Sequence, residues 1–415
     1  MRLLKRSADK VILFGVLVGG VALVLPFLMV KENRLVSGEA ASLVSMSFPA
    51  FLVVALLLVA MAVLSGVSLK YGTSNGTTER KGAGRPAAEN PVPASSLALL
   101  PAVVLFCVIW LAVGVSGTAL LEVQGFDRGR ISPSSGFWFL LLAVLIVLSH
   151  GMKSLRSTGT GSVLSVGLVA FLVLIFFAGL LDDIAFVQEY YTRESRFFTE
   201  LAAHVGLAGS SVGAAVVVGV PIGILAFRFK RLERPLFSLV NGLQTIPSLA
   251  LFGLMIAPLA LLSQQYPILR SLGVRGVGNT PAFLALFLYA LLPVVRNTYT
   301  SLSVLDPAVV DAGTGMGMTR KQLLWQVEFP ISLPIILSGI RVSAVQTIGN
   351  TTVAALIGAG GLGNFVFQGL GQAAPDLIVM GVIPIILLAV LTDRVFQFIL
   401  DNAVPGPSRR RVAYD

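Results

Sequence analysis

The residues of this chain that could do chemistry are few, and a glycine-rich segment is the most conspicuous. Residues 358–363 read GAGGLG, which satisfies the G-x-G-x-x-G pattern of a dinucleotide-binding turn. That pattern also requires a βαβ unit and an acidic residue about twenty positions later. Here the next acid is Asp376 and the neighbouring runs are apolar. We therefore interpret these glycines as sites of backbone flexibility or close helix packing rather than as a nucleotide site.

The sequence also lacks the other common catalytic patterns. No stretch matches G-x-x-x-x-G-K-[ST], so the chain has no P-loop for ATP. The two histidines, His150 and His204, are far apart in the sequence, and the only cysteine, Cys107, lies in an apolar run. An intrachain disulfide and a cysteine-based metal site are therefore excluded. We predict no catalytic residue, no metal site and no cofactor, and we do not expect an enzyme.

Polar side chains inside long apolar runs are the remaining candidates, because such groups are costly in a membrane and often functional. They could line a passage for a small polar or zwitterionic solute, or they could only hydrogen-bond neighbouring helices. Asp393 beside Arg394 predicts a local charge pair. The candidates for the translocation path are Gln244, Asn297, Gln346, Asn350, Thr351 and Thr352.

The composition decides the class of protein. Of 415 residues, 55% are hydrophobic and 12% are charged, against about 25% charged residues in an ordinary soluble domain. With a mean hydropathy of +0.88, only an all-α polytopic membrane protein fits. The net charge of +10 is spread over short loops between apolar runs. We therefore attribute it to cytoplasmic loops and expect no nucleic acid as a partner.

Ten apolar runs approach the length needed to cross a bilayer, which is about 20 residues in a helix. The fourth is the weakest, because its continuous apolar part reaches only from Phe137 to Leu148. The predicted transmembrane helices are 11–30, 46–69, 97–121, 133–150, 161–181, 205–227, 236–262, 281–303, 331–349 and 376–400.

The distribution of basic residues predicts the orientation. With the N-terminus inside, the inside segments hold 19 Lys and Arg residues and the outside segments hold 8. Because Lys and Arg accumulate in cytoplasmic loops, both termini are predicted to be cytoplasmic. The first apolar run has no small residues at a cleavage point. We interpret it as a retained membrane helix rather than a signal peptide.

A change of pattern near residue 183 divides the chain. Between Asp182 and His204, apolar and aromatic residues recur every three or four positions, which is typical of an amphipathic helix at the outer interface. We expect a five-helix membrane region of unknown role at 1–182, the interfacial helix at 183–204, a five-helix core at 205–402 and a basic cytoplasmic tail at 403–415.

The cytoplasmic loop at 306–330 is polar enough to leave the membrane, yet it has the pattern of a folded element. Asp306 followed by Pro307 is typical of a helix start, with the carboxylate as cap and proline in the first turn. Glycines at 313, 315 and 317 follow, and a second helix is expected from Thr319. Such a knob could fill a groove on a partner protein, or it could pack against its own chain.

This loop resembles the EAA loop of permease subunits of bacterial ABC importers, written EAA, three residues, G, nine residues, I-x-L-P. The matching positions are Asp311, Ala312 and Gly313 for EAA, Gly317 for the spaced glycine, and Val327, Phe329 and Pro330 for I-x-L-P. The departures conserve approximate size or charge and leave the spacing intact. The resemblance implies that the loop is the coupling helix that docks on a cytoplasmic ATPase subunit.

Further pieces between residues 195 and 400 are similar to the glycine-betaine, choline and carnitine branch of these permeases. They are Glu200 with His204, GVPIG at 219–223, QTIPS at 244–248, LLP at 291–293, RNT at 296–298 and the run 349–363. The resemblance implies a permease core at 205–402 that imports a compatible solute, such as glycine betaine or another quaternary amine, across the bacterial cytoplasmic membrane. It implies as partners an ABC ATPase, an external solute-binding protein, a second permease (identical or homologous) and the lipid bilayer.

Other functions stay open on the residues alone. An ion-gradient-driven secondary transporter would carry ionisable residues at mid-membrane and internal symmetry, and neither is clear here. An ABC importer of another small solute, such as an amino acid, would use the same loop, and a membrane scaffold would need no polar core residues. Aromatic cages bind quaternary amines, but Trp325 is the only tryptophan of the C-terminal half. We therefore expect selectivity to reside in the binding protein.

Overall fold

The computed structural model describes residues 2–33, 36, 38–74, 97–126, 129–154 and 160–403. The chain divides into two compact units, Met1–Tyr191 (unit 1) and Thr192–Asp415 (unit 2). Nearly all of the predicted tail at 403–415 lies outside the described residues, and so does most of the polar stretch from Lys70 to Pro93.

In its described residues, unit 1 is helical apart from one small sheet and the connecting loops. Strand β1 is the central strand and is antiparallel to both β2 and β3. In chain order, the elements up to the unit boundary are α1 (Arg2–Ala22), β1 (Leu28–Lys31), β2 (Glu39–Ala41), α2 (Leu43–Met46), α3 (Phe48–Ser74), α4 (Leu99–Gln124), β3 (Arg130–Pro133), α5 (Ser135–Ser154), α6 (Thr160–Phe177) and α7 (Ala185–Thr192).

The sheet corrects the first predicted span, 11–30, which is too long. Helix α1 ends at Ala22, and the chain passes Pro26 before it enters β1. Proline removes an amide donor and disfavours helix in the residue before it. The Phe27 amide donates to the Ala41 carbonyl at 2.8 Å, which ties the strand to its neighbour. The prediction was wrong because a short apolar run does not distinguish a buried strand from helix.

The core of unit 1 is built from large apolar side chains. Phe137 of α5 is fully buried, and its ring lies 5.9 Å from that of Phe27 and 5.3 Å from that of Trp110, both edge to face. At the rim, Arg130 donates to the buried Glu189 carboxylate at 2.7 Å. Aromatic pairs in these geometries contribute beyond the area they bury, so this core is tightly interlocked.

Unit 2 is helical throughout its described part. Helix α12 is central and packs against α8 and α15, while α17 packs against α15 and α16. In chain order the helices are α8 (Glu194–Arg228), α9 (Lys230–Thr245), α10 (Ser248–Gln265), α11 (Pro267–Ser271), α12 (Asn279–Ser303), α13 (Pro307–Gly315), α14 (Arg320–Leu323), a π-helical turn (Leu324–Glu328), α15 (Phe329–Ala354), a 3₁₀ turn (Ala355–Ile357), α16 (Gly363–Gly371) and α17 (Pro375–Ala403).

Glycines let these central helices approach closely. A β-carbon added at Gly223 of α8 would lie 2.6 Å from the β-carbon of Thr298 on α12. One added at Gly339 of α15 would lie 2.5 Å from the β-carbon of Asn297. Small residues at helix crossings are the usual means of close packing in membranes, and here they bring α8 and α15 onto the same central helix.

Among the described residues, seven helices are long and apolar enough to cross a membrane. They include Ser135–Met152, which is the fourth and weakest predicted span. Three shorter apolar helices, Lys10–Ala22, Phe48–Leu64 and Val163–Phe177, lie at the first, second and fifth predicted spans. The all-α polytopic class is confirmed, and the number of ten spans stays a prediction.

Two segments of unit 2 differ from the predicted elements. The seventh predicted span, 236–262, is interrupted at Ile246 and Pro247, whose backbones are extended between α9 and α10. Proline restricts the residue before it to extended conformations. Helix α9 is amphipathic and buries only Val240, so of the two helices only α10 is long and apolar enough to cross a membrane. The interfacial helix predicted at 183–204 is divided as well, because α7 ends at Thr192 and α8 runs without interruption from Glu194.

Candidate functional site

The first helix of the candidate coupling loop begins and ends with strong local signals. The Asp306 carboxylate accepts from the Ala308 amide at 2.9 Å, and Pro307 occupies the first turn, which confirms the predicted start. At the other end, the Met318 amide donates to the Gly313 carbonyl at 3.1 Å, and the Gly317 amide donates to Thr314 at 2.9 Å. This pair of bonds is a Schellman motif, which places Gly317 in the left-handed region at φ +79°. The spaced glycine is therefore required by the backbone.

The second helix of the loop folds back onto the first. Thr319 and Gln322 form a reciprocal capping box at its start. The buried Leu323 side chain then reaches Gly313, where an added β-carbon would lie only 2.6 Å from Leu323 Cδ1. Leu323 thus occupies the space that the second alanine of the family pattern would need, which explains the glycine at position 313.

The outer surface of this loop is exposed and carries large apolar side chains among polar ones. Met316 is 73% exposed and Trp325 is 54% exposed. Asp311, Ala312 and Pro330 are also exposed, and Val327 and Phe329 are half-buried beside them. The Trp325 and Phe329 rings lie 5.3 Å apart. An exposed apolar patch with a tryptophan is a typical protein-docking surface.

An ion pair that sequence analysis missed joins this loop to the transmembrane core. Arg228, in the last turn of α8, donates to the Glu328 carboxylate at 2.6 Å. Glu328 is almost fully buried and lies in the π-helical turn that leads into α15. The sequence offered one indication of this pair: Glu328 is an acidic residue at the point where the loop leads into an apolar segment. The pair ties the end of the loop to α8, in addition to its covalent continuation into α15.

The glycine-rich segment packs against α8, as its sequence predicts. The Gly361 amide donates to Glu200 Oε2, and the Asn364 side chain donates to Glu200 Oε1, both at 2.8 Å. Gly361 has φ +91°, and a β-carbon on Gly363 would overlap the Thr352 carbonyl. One turn further along α8, His204 Nε2 lies 3.0 Å from the Ile348 carbonyl. Glu200 and His204 therefore hold the connection between α15 and α16.

The candidate path residues fall into two groups. Three of them hydrogen-bond backbone carbonyls of the same unit: Gln244 donates to Tyr289 at 3.0 Å, Asn297 to Pro293 at 2.8 Å and Thr351 to Thr347 at 2.8 Å. The other three lie on α15, where Gln346 is exposed and Asn350 and Thr352 are half-buried.

Tyr289 also stabilises the interruption between α9 and α10. Its carbonyl accepts from Gln244, and its hydroxyl donates to the Ile246 carbonyl. The backbone group released by the break is therefore satisfied within the protein, as irregular backbone at membrane depth requires.

The charge pair predicted between Asp393 and Arg394 is wrong. Asp393 accepts instead from Arg341 Nε of α15 at 2.6 Å, and Gln397 accepts from the same guanidinium at 2.6 Å. Adjacent residues on a helix point in different directions, so Asp393 faces α15 while Arg394 does not. This cluster joins α15 to α17.

Two parts of the chain match known protein families. Residues 215–404 match the family described as binding-protein-dependent transport system inner membrane component. Residues 8–77 and 86–187 match the N-terminal domain of the ABC transporter permease YehY. The structure of the MetNI methionine ABC transporter is 20% identical in sequence, with a TM-score of 0.45, over 51% of this chain and 98% of that chain.

Two curated relatives are more similar in sequence. The osmoprotectant import permease protein OsmW of Salmonella typhimurium is 44% identical over 190 residues, which cover 46% of this chain and 83% of OsmW. The carnitine transport permease protein OpuCB of Listeria monocytogenes is 42% identical over 190 residues, which cover 46% of this chain and 80% of OpuCB. The chain therefore belongs to the family of inner-membrane permease subunits of binding-protein-dependent ABC importers.

Proposed function

We propose that this permease imports compatible solutes of the quaternary amine class, with glycine betaine as the representative substrate. The observation that carries the proposal is the 44% identity to an osmoprotectant import permease over 190 residues, which cover 83% of that permease. Support also comes from relatives named for transport of carnitine, choline and glycine betaine. These solutes share a trimethylammonium group, so one pathway can accept all of them.

The proposed assembly contains two permeases (identical or homologous), two cytoplasmic ATPase subunits and an external solute-binding protein. Both termini and the loop 306–330 lie on the cytoplasmic side, and ATP is hydrolysed by the separate subunits. The exposed Met316 and Trp325 fit into a groove of the ATPase. ATP-driven closure moves the loop, and the movement reaches α15 directly and α8 through the Arg228–Glu328 pair.

The solute pathway is proposed to run along α15. Gln346 and Asn350 are one helical turn apart and therefore share a face, and their side chains are not fully enclosed by their own chain. Thr352 lies half-buried nearby. Gln244, Asn297 and Thr351 contribute less, because each already donates a hydrogen bond to a backbone carbonyl.

A matched pair of glycine substitutions tests the coupling role. Gly317→Val forces a β-branched residue into the left-handed region, at a cost of about 1–3 kcal/mol. In Gly315→Ala the added methyl group meets nothing within 4 Å, and the backbone is helical. With Gly317→Val, we expect recovery of the ATPase from solubilised membranes and glycine betaine uptake to fall by about tenfold, the change that 1.4 kcal/mol produces. The Gly315→Ala protein should behave as wild type.

The same experiment separates the alternatives. Uptake that persists without a bound ATPase and collapses with the ion gradient would overturn the proposal in favour of a secondary transporter. ATPase recovery together with uptake of an amino acid, and none of glycine betaine, carnitine or choline, would retain the coupling mechanism and overturn the substrate class.

A further inference from the structure

A cavity of about 510 Å³ opens between α9 and the last turns of α12. It lies at the end of unit 2 that carries the coupling loop, because α12 ends at Ser303, three residues before Asp306. Its volume falls within the range of about 300–1,000 Å³ that is usual for small-molecule sites. Its lining includes Glu233, Arg234 and Phe237 of α9, and Arg296 and Tyr299 of α12.

One part of the cavity suits a quaternary ammonium group. The Phe237 and Tyr299 rings are half-buried and lie 5.1 Å apart, edge to face. The Glu233 carboxylate also lines the cavity and adds a negative charge on the same side of it as Phe237. Aromatic rings attract quaternary ammonium groups through their π-faces. A search of the sequence for tryptophans could not find this pair, because it consists of a phenylalanine and a tyrosine. The two residues are also 62 positions apart in the sequence.

Another part of the cavity suits a carboxylate. Arg234 and Arg296 both line it, and neither has an ion-pair partner among the described residues. A guanidinium group binds a carboxylate through paired, charge-assisted hydrogen bonds. Two guanidinium groups disfavour a ligand that is only cationic, whereas a purely anionic ligand gains nothing from the aromatic pair. A zwitterion uses both parts.

We propose that this cavity binds the transported zwitterion, a carboxylate-bearing quaternary amine, at the end of unit 2 that carries the coupling loop. This inference rests on the proposed function and deepens it. The permease then carries a selectivity of its own, which favours a zwitterion such as glycine betaine over a cation such as choline.

The test uses the intact importer with its ATPase subunits, in lipid nanodiscs and without the binding protein. Equilibrium binding of radiolabelled glycine betaine and choline is measured on the wild type, Arg296→Gln, Phe237→Ala and Tyr299→Phe. Arg270→Gln is the matched control, since this exposed arginine of α11 lies outside the cavity. Uptake is measured on the same proteins in liposomes supplied with the binding protein and ATP.

We expect Arg296→Gln to weaken glycine betaine binding about tenfold, which corresponds to 1.4 kcal/mol, and to leave choline binding unchanged. Phe237→Ala should weaken the binding of both solutes by about five- to thirtyfold, which matches a desolvated cation–π contact. Tyr299→Phe keeps the ring and should weaken binding less than Phe237→Ala does. Arg270→Gln should bind both solutes as the wild type does, which also controls for misfolding.

Three outcomes would overturn the inference. One is equal loss of glycine betaine binding in Arg296→Gln and Arg270→Gln. Another is equal loss of both solutes in Arg296→Gln. The third is wild-type uptake of glycine betaine with no measurable binding at the cavity, which leaves the proposed function intact. If the wild type takes up none of these solutes, the proposed function fails first and the inference fails with it.

Discussion

The two units differ in what their helices bury. Among the described residues, ten of the twelve buried polar or charged side chains belong to unit 2, and unit 1 contributes only Ser132 and Glu189. Unit 1 has instead the larger cluster of buried apolar residues, centred on interlocked aromatic rings such as those of Phe27 and Phe137.

This difference in buried side chains affects how easily the helices of each unit can move against one another. In unit 2 several cross-helix contacts are single hydrogen bonds, such as Ser343 to the Ala290 carbonyl at 3.0 Å and Ser211 to the Phe283 carbonyl at 3.4 Å. Bonds of this kind contribute about 0.6 kcal/mol each within membranes, so helices can exchange them at small cost. Interlocked aromatic side chains cannot separate without opening voids in a close-packed core. The contrast indicates that rigidity belongs to unit 1 and rearrangement to unit 2.

The largest effect is expected from Phe137→Ala in unit 1. This substitution removes a fully buried ring and should lower the free energy of unfolding by about 3–5 kcal/mol. Phe139→Ala, on the same helix but 43% exposed, should cost about 1 kcal/mol or less. Thermal unfolding of the purified permease measures both. If unit 1 is a rigid support, glycine betaine uptake below the unfolding temperature stays near wild type in both variants, and a specific loss in Phe137→Ala would contradict this.

A smaller loss of stability with a larger loss of transport is expected from Glu200→Ala in unit 2. The substitution leaves the Gly361 amide and the Asn364 side chain without their acceptor. Hydrogen bonds to a charged group contribute about 1.5–3 kcal/mol each. We therefore expect the free energy of unfolding to fall by about 2–4 kcal/mol, because some of that loss is recovered through water.

The control for Glu200→Ala is Glu194→Ala, at the exposed start of the same helix. It should cost about 1 kcal/mol at most, through the helix dipole, and transport should not change. Equal uptake in the two variants, measured where both are folded, would mean that the glycine-rich connection has no part in transport. The contrast between the units would then lose its functional meaning.

Local signals in the sequence predicted much of the coupling loop. Asp306 with Pro307 marked a helix start, and the spaced glycine at 317 marked a helix end. Each of these features depends on residues within five positions of one another, so the sequence alone contains the information. The same locality explains why the fold class and most apolar helices were predictable.

Contacts between distant residues were not predictable. The Arg228–Glu328 pair and the Phe237–Tyr299 pair each join residues more than 60 positions apart, and no alignment-free pattern links such positions. The strand at Leu28–Lys31 was missed because its three apolar residues fit helix and strand equally well. The break at Ile246 did have a local cause in Pro247, but hydropathy averaged over a span obscures a single residue.

The smallest expected change in the free energy of unfolding gives the sharpest test of the contrast between a rigid unit 1 and a rearranging unit 2. Ser343→Ala removes one cross-helix bond and should lower the free energy of unfolding by about 0.6 kcal/mol. Ser303→Ala, whose hydroxyl bonds the Tyr299 carbonyl of its own helix, should change it by less. The double variant Ser211→Ala with Ser343→Ala should lose about the sum of the two single losses, since independent sites add. A loss several times larger would mean that unit 2 is a cooperative, interlocked core like unit 1, and rearrangement would then have to be sought elsewhere in the importer.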